Sequence, residues 1–105
     1  MKYINATELK SRLDNGDALT ILDIREPYEY AICSIGGVEM PMGDVNARAG
    51  ELPNDQDVIV LCRSGKRAEA VANLLTTEHE MSNIVILEGG ILGWIDTVDN
   101  SLEAY

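Results

Sequence analysis

Val58-Ile59-Val60-Leu61-Cys62-Arg63-Ser64-Gly65-Lys66-Arg67 is the stretch whose reading decides the fold. Four short, largely β-branched apolar residues read as a buried strand, and the Arg, Ser, Gly and Lys that follow read as a loop. From Ala68 to Leu75 apolar residues recur at helical spacing, so the loop opens a helix that should end near Thr77. A strand-to-helix turn carrying a cysteine is thereby defined. Free backbone N–H groups and the macrodipole at a helix start favour negative charge, which suits a thiolate and draws an anionic substrate. Three of the chain's eight basic residues, Arg63, Lys66 and Arg67, fall in this stretch of a protein with formal net charge −10. The expectation is an anion-handling site on an acidic body.

A cysteine by itself is more often a small packing residue than a reactive one. Position changes that reading for Cys62: the C-terminal end of a strand, followed by a Gly-containing basic turn and a helix, is where α/β folds place ligands.

Working outward, the 105 residues with 46% hydrophobic content suit one compact domain, 1–105, able to bury a single core. Two cysteines and a polar N-terminus without a signal-like apolar segment point to a reducing, cytoplasmic setting rather than a disulfide scaffold. No stretch reaches membrane-spanning length. The acidic balance argues against nucleic-acid and anionic-membrane partners. Two cysteines and one histidine, scattered, make no metal-ligand set, and no cofactor is expected.

Taken in order, an edge strand should end at Ile4, followed by a capping box of Asn5 and Glu8 that opens a helix from Ala6 to about Leu13. Asp14-Asn15-Gly16-Asp17 stops it. Leu19 to Ile24 reads as a buried strand in which the polar Asp23 faces the working end of the sheet. Pro27 suits the first position of a short helix through about Ala31. A short strand is expected within Ile35–Met40, an irregular helix over Met42–Ala49, a polar turn at residues 53–57, a last buried strand at Ile84–Leu87 and a helix carrying Ile91, Leu92, Trp94, Ile95 and Val98. The tail from Asp99 is polar and expected to fray.

Strands alternating with helices predict a central parallel sheet of about five strands with helices on both faces. All strand C-termini then share one edge, which gathers Asp23 to Arg25, Met40 to Met42, the Cys62 loop and Gly89-Gly90. Cys33, in the crossover after the short helix, should lie near the opposite, N-terminal edge, too far from Cys62 for a disulfide. His79, in the loop after the Cys62-loop helix, is expected at that far edge as well.

With these segments in place the chain resembles a single-domain rhodanese, a thiosulfate sulfurtransferase-like domain. Leu22-Asp23-Ile24-Arg25-Glu26-Pro27-Tyr28-Glu29-Tyr30 is similar to that family's Asp-x-Arg segment. Leu61 to Arg67 is similar to its active-site loop, and Leu87-Glu88-Gly89-Gly90-Ile91-Leu92-Gly93-Trp94 to its Gly-Gly-to-Trp segment. Cys33-Ser34-Ile35-Gly36-Gly37-Val38 departs from the Gly-His-Ile-Pro-Gly-Ala run common in the family. The resemblance implies that Cys62 is the nucleophile, taking a sulfane sulfur from thiosulfate or a persulfide donor and passing it to cyanide or a thiol, which can belong to a protein. Backbone N–H groups of Arg63, Ser64, Gly65, Lys66 and Arg67 would hold the sulfur and the donor. Asp23 and Arg25 would brace the site.

Two rival functions remain in view. A phosphatase or arsenate reductase of the related fold uses a Cys-x5-Arg loop, whereas Arg67 lies five positions after Cys62 and position 68 is Ala. The shorter loop leaves less room for a tetrahedral oxyanion. The second rival is a persulfide carrier or binding module that docks on a partner, and the presence of Cys62 is compatible with it.

Overall fold

The computed structural model describes residues 1–105 and contains five parallel strands in the order β1-β5-β4-β2-β3. The strands are β1 (Lys2–Ile4), β2 (Leu19–Asp23), β3 (Val38–Glu39), β4 (Asp57–Leu61) and β5 (Ile84–Leu87). Between them run α1 (Ala6–Asp14), α2 (Pro27–Ile32), α3 (Met42–Arg48) with a 3-10 turn at Ala49–Glu51, and α4 (Lys66–Thr77), and α5 (Gly90–Thr97) follows β5. The predicted α/β architecture with one parallel sheet is borne out. No helix is long and apolar enough to cross a membrane.

Alternation along the strands explains the two-sided core. Leu22, Val58, Val60, Ile84 and Ile86 point to one face and pack with Val45 of α3 and Ala68, Val71, Ala72 and Leu75 of α4. Ile21, Ile59, Leu61, Val85 and Leu87 point to the other and pack with Leu9 of α1 and Ile91, Trp94 and Ile95 of α5. The central strands are apolar at consecutive positions because both faces are covered, as parallel sheets require. Trp94 is a core residue of the second face.

Local signals acted where the sequence placed them. The Asn5 side chain accepts from the Glu8 N–H at 2.8 Å, and Glu8 closes the capping box on the Asn5 N–H. Pro27 opens α2 at its first position. The third strand shrinks to Val38–Glu39, paired with Leu22 and Asp23. Helix α4 begins at Lys66, two residues earlier than apolar periodicity alone indicated.

Two expectations are corrected. The chain after Asp99 does not fray: Tyr105 folds back and its phenol oxygen lies 2.9 Å from Arg25 and 2.6 Å from Glu29. Its hydroxyl accepts from one buried charged group, Arg25, and donates to another, Glu29, which a reading based on the polarity of the tail could not anticipate. Cys33 is not at the N-terminal edge either. Its carbonyl accepts from Arg25 Nη2 at 2.8 Å and its sulfur lies 3.9 Å from Nη1, because the six-residue α2 is too short to carry the chain down the length of β2. The two thiols are nonetheless separated by the sheet, since Cys62 belongs to the core of one face and Cys33 to the core of the other. Both are free.

Candidate active site

The helices leaving the adjacent strands β2 and β4 pass to opposite sides of the sheet: α4 lies over one core, while Ile32 of α2 packs against the other. In α/β sheets such a divergence marks the edge at the C-terminal ends of the two strands where ligands are bound. Asp23 and Arg25 stand at the end of β2, and Cys62 directly follows the last residue of β4.

Cys62 is 1% exposed, and its sulfur sits inside the turn that its own loop makes. The Gly65 N–H donates to Sγ at 3.0 Å and the Ala68 N–H at 3.4 Å. Gly65 reaches this position with φ +116°, a conformation closed to most side chains, and serves as the N-cap of α4. The first turn of α4 therefore aims otherwise unpaired donors at the sulfur.

A second loop holds the first in place. The Ile91 N–H donates to the Cys62 carbonyl at 2.9 Å and the Leu92 N–H to the Arg63 carbonyl at 3.1 Å. Gly90 makes this approach possible: at φ +61°, a Cβ there would lie 2.5 Å from the Arg63 oxygen and 2.6 Å from the Cys62 oxygen. Gly90 is thus a packing requirement between two helix starts, while Gly89 caps α5 at φ +79°.

Beside the sulfur lies a chain of charge. Arg25, wholly buried, donates from Nε and Nη2 to the carboxylate of Asp23, and also to the Glu29 and Cys33 carbonyls. Arg25 Nη1 reaches the Tyr105 hydroxyl, which donates to Glu29 Oε2. Glu29 in turn receives both Nη groups of Arg67 at 2.7 and 2.9 Å. The sequence Asp23, Arg25, Tyr105, Glu29, Arg67 ties β2, α2, the C-terminal segment and α4 together. No buried side-chain nitrogen or oxygen lacks a partner.

These contacts fix protonation states. Bidentate bonds from Arg67, helped by the Tyr105 hydroxyl and opposed by burial, pull the Glu29 carboxyl down to about 2. Burial pushes Tyr105 up to about 12; the Glu29 carboxylate adds to the rise and Arg25 opposes it. Burial likewise pushes Tyr30 up to about 12, with Asp23 adding to it. Burial alone would lower Arg25, but its bonds to Asp23 and Tyr105 outweigh that and raise it.

Of the basic residues singled out from the sequence, Arg67 is occupied by Glu29 rather than free to meet a ligand. Lys66 is exposed at the helix start. Arg63 is exposed too, yet its Nε donates to the Tyr105 main-chain oxygen at 2.6 Å and Nη2 bonds the same oxygen. Ser64 is exposed in the loop. Sequence reasoning missed Glu29 and Tyr105. Glu29 had a signal, since it lies four residues after Arg25 on a short helix; Tyr105 had none. His79 lies at the other edge, its Nε2 2.9 Å from Asn46 Oδ1, in a loop lining a cavity of about 530 Å³ with Ala49, Leu52 and Asn83. None of the three surface cavities is lined by the Cys62 loop.

Comparison with known proteins settles the family. The rhodanese-like domain profile matches residues 5–97. The chain belongs to the rhodanese-like domain family. A sulfurtransferase of Allochromatium vinosum is 34% identical over 93 residues, covering 87% of this chain and 85% of that protein. Bacillus subtilis YrkF, named provisionally as a sulfur carrier protein, is 33% identical over 87 residues, which are 82% of this chain. The chain spans 47% of that relative's length. The crystal structure of a rhodanese-related protein from Thermoplasma volcanium superposes with a TM-score of 0.83 at 32% identity, covering 93% of this chain and 94% of that one.

Proposed function

We propose that this rhodanese-like domain is a sulfurtransferase that moves a sulfane sulfur through a persulfide on Cys62. The observation that carries the reading is the cradle: two backbone N–H groups, from Gly65 and Ala68, converge on the Cys62 sulfur at the start of α4. Fixed neutral dipoles of this kind stabilise an anionic sulfur without a histidine base, and the only histidine lies at the far edge.

In the first half-reaction the Cys62 thiolate attacks the outer sulfur of thiosulfate. A new S–S bond forms to Cys62, the S–S bond of thiosulfate breaks, and sulfite leaves with the electron pair. The terminal sulfur of the resulting persulfide carries the negative charge, and the helix-start N–H groups are suited to hold it. In the second half-reaction cyanide, or an acceptor thiolate, attacks that terminal sulfur and releases the Cys62 thiolate. Neither step requires an added oxidant or reductant. Support for a small donor comes from the burial of Cys62, whose loop lines none of the cavities large enough for an organic substrate. The relatives named for sulfur transfer and sulfur carriage support the reaction class.

Intact mass after incubation with thiosulfate tests the reading. A gain of one sulfur, about 32 Da, mapped to Cys62 and removed by cyanide with release of thiocyanate, is expected of a thiolate nucleophile. A protein that loads sulfur but yields it only to a thiol acceptor, not to cyanide, would act as the carrier that the Bacillus subtilis relative's name describes. No gain in mass with thiosulfate or with a persulfide donor would sink both.

A further inference from the structure

We propose that Glu29 is a positioning residue for the Cys62 loop: through Arg67 it fixes the first turn of α4, so that the Ala68 N–H stays on the sulfur. The inference rests on the sulfurtransferase reading for its effect on rate, and adds to that reading a device that keeps the cradle in shape. The start of α4 has little of its own to hold it. Its N-cap is Gly65, which brings no side-chain acceptor and stands at φ +116°. In the first turn Lys66 and Glu69 are exposed and their side chains make no hydrogen bond, and Ala68 has none to make. A helix start without a cap frays first, because its leading N–H groups have no carbonyl four residues back. One of those groups, the Ala68 N–H, is the donor 3.4 Å from Cys62 Sγ. Fraying of this turn would take it off the sulfur.

Arg67 stands between the two donor residues, Gly65 and Ala68, and supplies the only side-chain tether of that turn. Its two Nη groups meet the two oxygens of Glu29 at 2.7 and 2.9 Å, a pair of parallel bonds that fixes orientation as well as distance. The carboxylate is itself held. Glu29 is 2% exposed, its Oε1 accepts from the Glu26 N–H at 3.0 Å, and its carbonyl accepts from Arg25 at 3.3 Å. Arg25 in turn grips Asp23, which pairs with Leu61, the residue before Cys62. The contacts thus close a ring that runs from β4 through the loop and α4 to Glu29, Arg25 and β2, and back to β4. The upstream half of the loop is held from α5, by the Ile91 and Leu92 N–H groups on the Cys62 and Arg63 carbonyls. Only the downstream half depends on Glu29.

Charge and position predict different outcomes for the same substitution. If Glu29 acted by its charge, Glu29→Gln would remove a repulsion and leave the Arg67 cation uncompensated, so the thiosulfate KM would fall, most at low salt. A positioning role gives another signature. Gln offers one oxygen and one amide NH2 to the Arg67 fork, so one of the two bonds is lost, the turn loosens and the reacting step slows.

The test pairs amide hydrogen exchange, read residue by residue by NMR, with the rate of persulfide formation as a function of thiosulfate concentration, on the full chain and its variants. In Glu29→Gln the Ala68 amide should exchange about tenfold faster than in the parent, while the Ile59 amide of β4 keeps its protection. The plateau rate of persulfide formation should drop about tenfold with the KM within about twofold, since a donor loosened on the sulfur costs less than the hundredfold or more of one removed. Arg67→Lys keeps the positive charge and loses the fork, so it should match Glu29→Gln; its side chain is 35% exposed, and it replaces Glu29→Gln if that variant does not fold. Adding Arg67→Lys to Glu29→Gln should lower the rate little further. Unchanged Ala68 exchange in both variants would overturn the proposal, and so would faster exchange at Ala68 and Ile59 alike, which is a general loss of stability. A lower KM in Glu29→Gln, or an Arg67→Lys protein that behaves as the parent, would assign the effect to charge and overturn it as well. Should the parent gain no sulfur, the sulfurtransferase reading falls and the rate effect with it, whereas Ala68 exchange still decides whether Glu29 holds the turn.

Discussion

The ends of the neighbouring strands β4 and β2 solve the burial of polar groups by opposite means. On the β4 side the Cys62 sulfur is surrounded by apolar residues and met only by the backbone N–H groups of Gly65 and Ala68. On the β2 side Asp23, Arg25 and Glu29 are joined by formal charges, with the Tyr105 hydroxyl between them and Arg67 reaching across from α4. In the proposed reaction Cys62 changes from thiolate to persulfide and back, and neutral dipoles would tolerate both states without a large swing in energy. A group that must hold loops in place needs the reverse, a state that nothing in the working pH range disturbs.

The comparison breaks most completely if Cys62→Ser retains activity. The substitution is nearly isosteric and leaves the two N–H groups an oxygen to meet, so the melting temperature should stay within a few degrees. Sulfur transfer should drop by at least about a thousandfold, because a serine hydroxyl is a poor nucleophile towards sulfur. Residual transfer within tenfold of the parent would show that the sulfur acceptor is another group.

Arg25→Ala should do the opposite, damaging the fold before the chemistry. It strands the wholly buried Asp23 carboxylate and removes donors from the Glu29 and Cys33 carbonyls. Breaking one half of a buried pair costs about 3 to 5 kcal/mol. At about 4 to 8 °C per kcal/mol for a domain of this size, chemical or thermal denaturation should show a large loss. A melting temperature within a few degrees of the parent would mean that the charged side is ornament rather than brace.

A pH series sharpens the contrast further. The Glu29 carboxyl has its pKa lowered from 4.5 to about 2 by Arg67 and Tyr105, so the unfolded chain takes up this proton near pH 4.5 and the folded chain only near pH 2. The stabilisation is fully present above pH 4.5 and is lost as pH falls towards 2. Its size is at most roughly 3 kcal/mol, and less to the extent that water screens the half-exposed Arg67. Urea midpoints at pH 6, 4 and 2.5 should fall more steeply for the parent than for Glu29→Gln. Parallel curves would remove Glu29 from the account.

The smallest effect is assigned to Lys66. An exposed, unpaired cation contributes by attraction that salt screens, so Lys66→Gln should raise the thiosulfate KM about twofold at low ionic strength and leave it unchanged at high salt. A fall in turnover instead would place the ammonium against the reacting atoms.

Much of this arrangement was legible in the chain. Apolar runs at Leu19–Ile24, Val58–Leu61 and Ile84–Leu87, separated by segments of helical period, dictate a parallel sheet buried on both faces. A parallel sheet in turn delivers Asp23, Arg25, Cys62 and Gly89-Gly90 to one edge. Asn5 with Glu8, and Pro27, start their helices through bonds and dihedrals that span four residues or fewer. Such local effects depend on sequence order alone, and sequence order is what a reader of the chain possesses.

What tertiary structure decided are the pairings across long separations. Arg67 meets Glu29 across 38 positions, Tyr105 meets Glu29 across 76 and Arg25 across 80. An arginine side chain reaches several ångströms in many directions, and nothing in its neighbours states which carboxylate or carbonyl it will find. The position of Cys33 was missed for the same reason, because it is set by the short α2 and by the grip of Arg25 on its carbonyl rather than by strand topology. The sequence by itself determined the sheet, its buried faces and the loop that carries Cys62, since periodicity and turn chemistry act over a few residues. Only the folded chain decided which charges are held, which are free and which groups the Tyr105 hydroxyl meets, because those depend on distances that exist only once every element is in place.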